Sequence, residues 1–257
     1  MRYKDEVTKQ IEYSKKHEGT NELLYELFSP FEDEMKLING IEIEEELFYQ
    51  TYSSEIEFEV FQNRINTLKL YLDQNKNFID KFVQSRKGNL EKIIEKTNYA
   101  EISTFQGEAY YNIEKYFNEY LYVSIIKLLY SILETTLQNI KLLIEEKEGK
   151  RFKLSKERKS EVQKYIEIME KDCNLNLELS DDFWVEFETF KKIRNKVTHF
   201  MFDEMLYEIK GNQKSIYTSY LNYEFCLENL GLVCEIIEKI ELEICNKYPE
   251  SNIFSNL

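Results

Sequence analysis

The residues best suited to chemistry lie in the stretch FKKIRNKVTHF, Phe190 to Phe200. Arg194, Asn195 and His199 fall within one short segment, and His199 is one of only two histidines in 257 residues. A neutral imidazole exchanges its proton near pH 7, so it can serve as general base and then as general acid. An arginine keeps its charge and presents a planar fork that matches two phosphate oxygens. Asn195 can orient the imidazole or donate to a phosphate, and Thr198 beside the histidine can support either. Together these types suit a reaction in which a proton moves while negative charge builds on phosphorus. Lys191, Lys192 and Lys196 surround the set and are candidate contacts to a polyanion.

Other chemistries find little support. Two histidines and four cysteines without C-x-x-C spacing make no zinc site. There is no glycine-rich phosphate loop and no G-x-S-x-G elbow. No metal and no cofactor are expected. His17, beside Lys15 and Lys16, reads as a surface residue.

The element carrying the motif is predicted as a helix from Ser180, an N-cap followed by Asp181 and Asp182 in the favourable first turn. Phe183, Phe187, Phe190, Ile193 and Val197 form its apolar stripe, with Trp184 beside it. At about 100° per residue Asn195 and His199 share a face, while Arg194 lies about 140° from His199. One straight helix therefore does not converge all three. Either the helix loosens at its end, or a second chain completes the site.

Three further helices are expected around it. One starts near Ser53 or Ser54, carries Phe58, Phe61, Ile65, Leu68 and Leu72 on one face, and ends at Gly88. A second runs from about Glu108 to Lys147, apolar over much of its circumference through Ile113, Phe117, Tyr120, Leu121, Ile125, Leu128, Ile132, Leu137, Ile140 and Ile144. Glu134 interrupts that surface, either as a solvated edge position or as a carboxylate that needs a partner. The last helix, about 222–247, packs through Leu227, Leu230, Cys234, Ile237 and Ile244. Between them, residues 147–164 carry eight Lys/Arg against three Glu in a chain of net charge −14. Such a run is ordinarily a solvated loop or face, and here it offers Lys150, Arg151 and Lys153 as contacts to phosphates.

Composition agrees with a helical protein. Seven glycines and two prolines are too few for the turns of a β-rich fold this size, so the class is all-α. The first sixty residues hold sixteen Asp/Glu against six Lys/Arg, and short helices broken near Gly19, Pro30 and Gly40 are expected there. An acidic helical region over 1–107 and a helical domain over 108–257 are the expected division. The overall acidity argues against broad coating of nucleic acid. The start, MRYKDEVTKQ, is no signal peptide, and the greasiest run, residues 121–133, is short and interrupted by Lys127. The expectation is a cytoplasmic protein with reduced cysteines that does not enter a membrane.

Residues 108–248 resemble the HEPN superfamily, all-α domains that include many ribonucleases and ribonuclease toxins. Its signature is an arginine, a polar residue that is often asparagine, a short spacer and a histidine, as in Arg194-Asn195-Lys-Val-Thr-His199. The aromatic-rich helix FWVEFETFKKIRNKVTH and the earlier helix YSILETTL with Glu134 fit its pattern as well. Subfamilies paired with a nucleotidyltransferase antitoxin often carry Tyr two places after the histidine, where this chain has Met201, which speaks against that particular pairing. The resemblance implies a helical bundle and metal-independent cleavage of RNA by the ribose 2′-OH. In the catalytic set His199 would handle the proton, Arg194 the phosphorane, and Asn195 would orient His199 or bind phosphate, with Glu134 and Thr198 in support. It implies a homodimer in which two Arg-His pairs share one cleft, and a toxin or antiviral effector with an antitoxin or defence-system partner. The rival expectation is a catalytically silent helical module that binds a nucleotide, RNA or a partner protein.

Overall fold

Wherever the chain is described, apolar periodicity has become helix. The computed structural model describes residues 47–97, 100–199 and 219–253, with side-chain surroundings given except at 89, 90, 93–97, 100–114 and 199. Among the described residues five helices follow in order: α1 (Ile56–Thr97), α2 (Ala100–Glu148), α3 (Glu161–Lys171), α4 (Asp181–His199) and α5 (Tyr223–Lys247), then a 3₁₀ turn at Pro249–Ser251. Among the described residues there is no strand, only an isolated bridge between Ser53 and Asn252. The protein is all-α. Residues Phe48–Leu257 form one compact unit, and position 107 lies inside α2. The expected breaks at Gly19, Pro30 and Gly40, and the residues His17 and Met201, lie outside what is described, while Ile113 falls within α2 at a position whose side-chain surroundings are not described.

The first helix differs from expectation at both ends. Ser53 and Ser54 do not cap it. Glu55 occupies the capping position, its carbonyl accepting from Phe58 N–H, while Ser53 Oγ accepts from Glu55 N–H one step earlier, at 3.2 Å. Ser54 instead donates its N–H to Ser251 O at 2.7 Å, fastening this end to the C-terminal turn. Gly88 does not end the helix, which continues to Thr97. A lone helical glycine costs only about 1 kcal/mol against alanine, and the good helix formers that follow outweigh it.

The core is where the stripes meet. Phe58, Phe61, Ile65 and Leu72 of α1 are buried, as are Phe183, Phe187, Phe190, Ile193 and Val197 of α4. Each such side chain contributes about 1.5–3 kcal/mol by leaving water. On α2, Leu121, Ile125, Leu137, Ile140 and Ile144 are buried, but Phe117, Tyr120 and Leu128 are exposed. The neighbouring helices leave one side of α2 uncovered, so its wide apolar surface is only partly used. The segment Lys115–Glu148 is long and apolar enough to cross a membrane by length and composition, and 56% of its most apolar window is buried in the bundle. All four cysteines are buried and unpaired. Burial pushes the Cys226 and Cys234 thiols up to about 12.

A buried carboxylate ties the chain's early segment to α5. Glu241 is fully buried. Its Oε1 accepts from Tyr52 N–H at 2.9 Å and Ser53 N–H at 2.8 Å. Thr51 donates its hydroxyl to the same oxygen, and Tyr49 donates its hydroxyl to Oε2.

Candidate active site

Helix α4 forms because Ser180 Oγ accepts from Phe183 N–H at 3.1 Å and two aspartates occupy its first turn. It runs unbroken through the motif to His199. Thr198 donates its hydroxyl back to Arg194 O at 2.8 Å, one turn earlier, and so serves the helix itself. The loosening considered above is absent up to His199. By register, Arg194 and position 199 stay about 140° apart, with about 7.5 Å of rise between them. Position 199 shares its face with Lys192, Asn195 and Lys196.

Arg194 turns inward onto a ring that sequence reasoning did not single out. Its guanidinium carbon sits 4.4 Å above the centroid of Tyr130, on α2. Tyr130 is buried and packs against Phe190 at 5.6 Å and Phe187 at 6.3 Å, so the ring is held from below by the α4 stripe. A cation over a desolvated aromatic face gains about 0.5–2 kcal/mol and is fixed in orientation. Nη1 of Arg194 donates to Asn195 Oδ1 at 3.0 Å. Among the described residues the guanidinium pairs with no carboxylate.

Carboxylates nevertheless line the surroundings. Burial pushes the Tyr130 phenol up. The Ser160 hydroxyl pulls it down, Glu134 pushes it up, Arg194 pulls it down and Glu188 pushes it up. Glu134, one turn along α2 from Tyr130, is half-buried as an edge position. Glu188 accepts from Gln163 Nε2 at 2.9 Å and pairs with Lys191, so the charge of Lys191 is neutralised locally. Gln163 and Ser160 form a reciprocal capping box at the start of α3, which joins α2, α3 and α4 around Tyr130. Among the missed residues, Ser160 and Gln163 had a readable sign, the S-x-x-Q spacing of that box. Tyr130 and Glu188 had none beyond their helical positions.

The structure brings Arg194, Asn195, Glu134 and Lys191 into one neighbourhood. Lys192 is exposed beside it, and Lys196 is half-buried. Lys150, Arg151 and Lys153 lie elsewhere. Arg151 Nη1 bonds Glu145 Oε2 at 3.2 Å, and Phe152 N–H donates to Glu145 Oε1 at 2.6 Å. Fifteen residues of α2 separate Glu145 from Tyr130, about 22 Å along the axis. The non-helical segment between Phe152 and Ser160 covers that distance, so its exposed cations Lys153, Lys156 and Arg158 lie between the two levels. Lys150 stacks on Phe152 at 4.7 Å.

Among the described residues no cluster of His, Cys, Asp or Glu is arranged to hold a metal ion. No protein-family model, curated protein or solved structure matches the chain. The fold therefore establishes an all-α protein, and function is argued from the site alone.

Proposed function

We propose that the chain is a HEPN-type endoribonuclease that cleaves RNA without a metal, acting as a two-fold homodimer. The observation that carries this reading is Arg194: an inward cation stacked on Tyr130, restrained by Asn195 and answered by no carboxylate among the described residues. A fixed guanidinium of that kind is suited to hold phosphate oxygens as charge grows on them. His199, in the last turn of the same helix, supplies the proton transfer. The unbroken helix keeps Arg194 and position 199 apart, so the reading requires the arginine of one copy to work beside the histidine of the other. A toxin or antiviral-effector role in the cytoplasm, restrained by an antitoxin or defence-system protein, belongs to the same proposal and rests on the resemblance in the motif.

The second reading is a silent helical module that binds RNA, a nucleotide or a protein. It is favoured by the net charge of −14 and by the separation within one chain. Light scattering and cellular RNA degradation by the purified full chain distinguish the two. The enzyme reading expects a dimer, and expects His199→Ala to lower cleavage about 10²–10⁴-fold and Arg194→Ala about 10²–10³-fold, with folds intact. A monomer at micromolar concentration with and without RNA, or variants that behave as wild type, would leave the binding module.

A further inference from the structure

We infer that the open side of the α1–α2 pair is a docking groove for an acidic amphipathic helix of a partner protein. The inference stands apart from the ribonuclease reading, because nothing in it uses Arg194 or His199. A groove of about 430 Å³ opens between the two helices, lined by Arg64, Leu68, Tyr71, Leu128 and Ile132 among others. Arg64, Tyr71 and Phe78 recur every seven residues, so they follow one face of α1. Tyr71 is 44% exposed, Phe78 62%, Phe117 43% and Leu128 48%. Phe82 meets Phe117 edge-on with centroids 5.9 Å apart, which continues the apolar floor beyond the groove. Large apolar side chains left exposed along one side of a helix pair, here interspersed with Asn63, Arg64 and Thr67, are the kind of surface that marks an interaction site. From Arg64 to Phe82 the face is about 27 Å long, the length of a helix of about eighteen residues.

Charge selects the occupant. Residues 63–88 carry six Lys/Arg and two Asp in a chain that is otherwise strongly acidic. Both aspartates are engaged, Asp73 by Lys69 and Asp80 by Lys76. Arg64 and Lys81 pair with no carboxylate among the described residues, and the groove lining holds no carboxylate. A helix with apolar residues at i, i+3, i+4 and i+7 and glutamates on its flanks fits this surface. A second copy of the chain would set the same basic face against itself. A nucleic acid would find aliphatic carbons of Leu68, Leu128 and Ile132 where its bases need hydrogen-bonding groups.

The test uses the full chain and three labelled, N-acetylated peptides of about eighteen residues. One places leucines at helical spacing among glutamates; the second is its scramble; the third replaces glutamate by lysine. Fluorescence anisotropy is expected to give saturable, micromolar binding of the first, with the other two at least about tenfold weaker. Leu128→Asp and Arg64→Glu should each weaken it about tenfold or more, with unchanged circular dichroism, since both side chains lie on the surface. Val185→Asp, on α4 and 66% exposed, should change nothing. The proposal is overturned by absence of saturable binding, by indifference to Leu128→Asp, or by equal binding of the lysine peptide. Displacement of the peptide by an oligouridine probe would give the groove to RNA. A dimer that Leu128→Asp turns into a monomer would give it to a second copy.

Discussion

If Tyr130 positions Arg194, the two residues must be energetically coupled, and the coupling is measurable without any assay of activity. Tyr130→Leu removes a buried ring that touches Phe187 and Phe190. The lost ring pairs and the smaller volume should cost about 2–4 kcal/mol. Arg194→Ala removes the cation from a half-buried site and should cost about 1 kcal/mol. In the double variant the cation–ring term is already gone, so its cost should fall short of the sum by about 1 kcal/mol. Tyr130→Phe keeps the ring and should preserve the coupling, losing about 1 kcal/mol or less for the hydroxyl. Urea unfolding followed at 222 nm reads all four corners of the cycle, provided one transition fits each. A coupling below about 0.3 kcal/mol, the scatter of independent sites, would refute the claim that the ring holds the guanidinium.

Three other outcomes follow from the described interactions. Glu241→Ala strips the acceptor from the Tyr49 hydroxyl and from two backbone N–H groups. At about 1–3 kcal/mol for each stranded buried donor, it should lose about 4–6 kcal/mol by urea unfolding; Glu241→Gln, which keeps one oxygen, should lose less than half as much. The hydrogen bond from Lys141, with those from Phe152 N–H and Arg151, holds the Glu145 carboxyl below its usual 4.5 against the opposing effect of burial. A depressed carboxyl stabilises the fold above its ordinary value and loses that contribution as pH falls through the depressed one. Stability of the wild type should therefore fall more steeply below about pH 4.5 than that of Glu145→Gln, as thermal melts at a series of pH values would show. With the Cys226 and Cys234 thiols pushed up to about 12 and all four cysteines buried, a thiol reagent at pH 8 should react slowly with the native chain and with four thiols in denaturant.

What could be read from the sequence was what periodicity carries. The stripe from Phe183 to Val197 and the face from Phe58 to Leu72 were legible because a helix buries residues at three- and four-residue steps. The breadth of α2 was misjudged for the same reason: apolar residues around a whole helix show that it can be covered, not which neighbours cover it. Hence Leu128 and Phe117, expected in the packing, stand open. The basic run 147–164 was read as a solvated face with candidate phosphate contacts, but much of its charge is paired. Some of the pairs lie within the run, as Lys159 with Glu157 and Lys164 with Glu161, and some join carboxylates outside it that the run itself does not reveal. Arg151 answers Glu145, Lys147 answers Glu55 and Lys159 answers Glu167. Arg194, Asn195 and Glu134 were legible as types at a spacing. Tyr130, which orients the arginine, was hidden because the contact joins residues 64 positions apart in sequence.

The ribonuclease proposal stands or falls on the origin of the nucleophile. If His199 takes the 2′-OH proton and Arg194 holds the phosphorane, the full chain will cut an oligoribonucleotide in EDTA. It will leave a 2′,3′-cyclic phosphate and a 5′-hydroxyl. The direct measurement compares that oligonucleotide with one carrying 2′-deoxy at the cleaved position, resolved by mass spectrometry. The account predicts cleavage of the first and none of the second. Equal cleavage of both, or products bearing a 3′-hydroxyl and a 5′-phosphate, would contradict it.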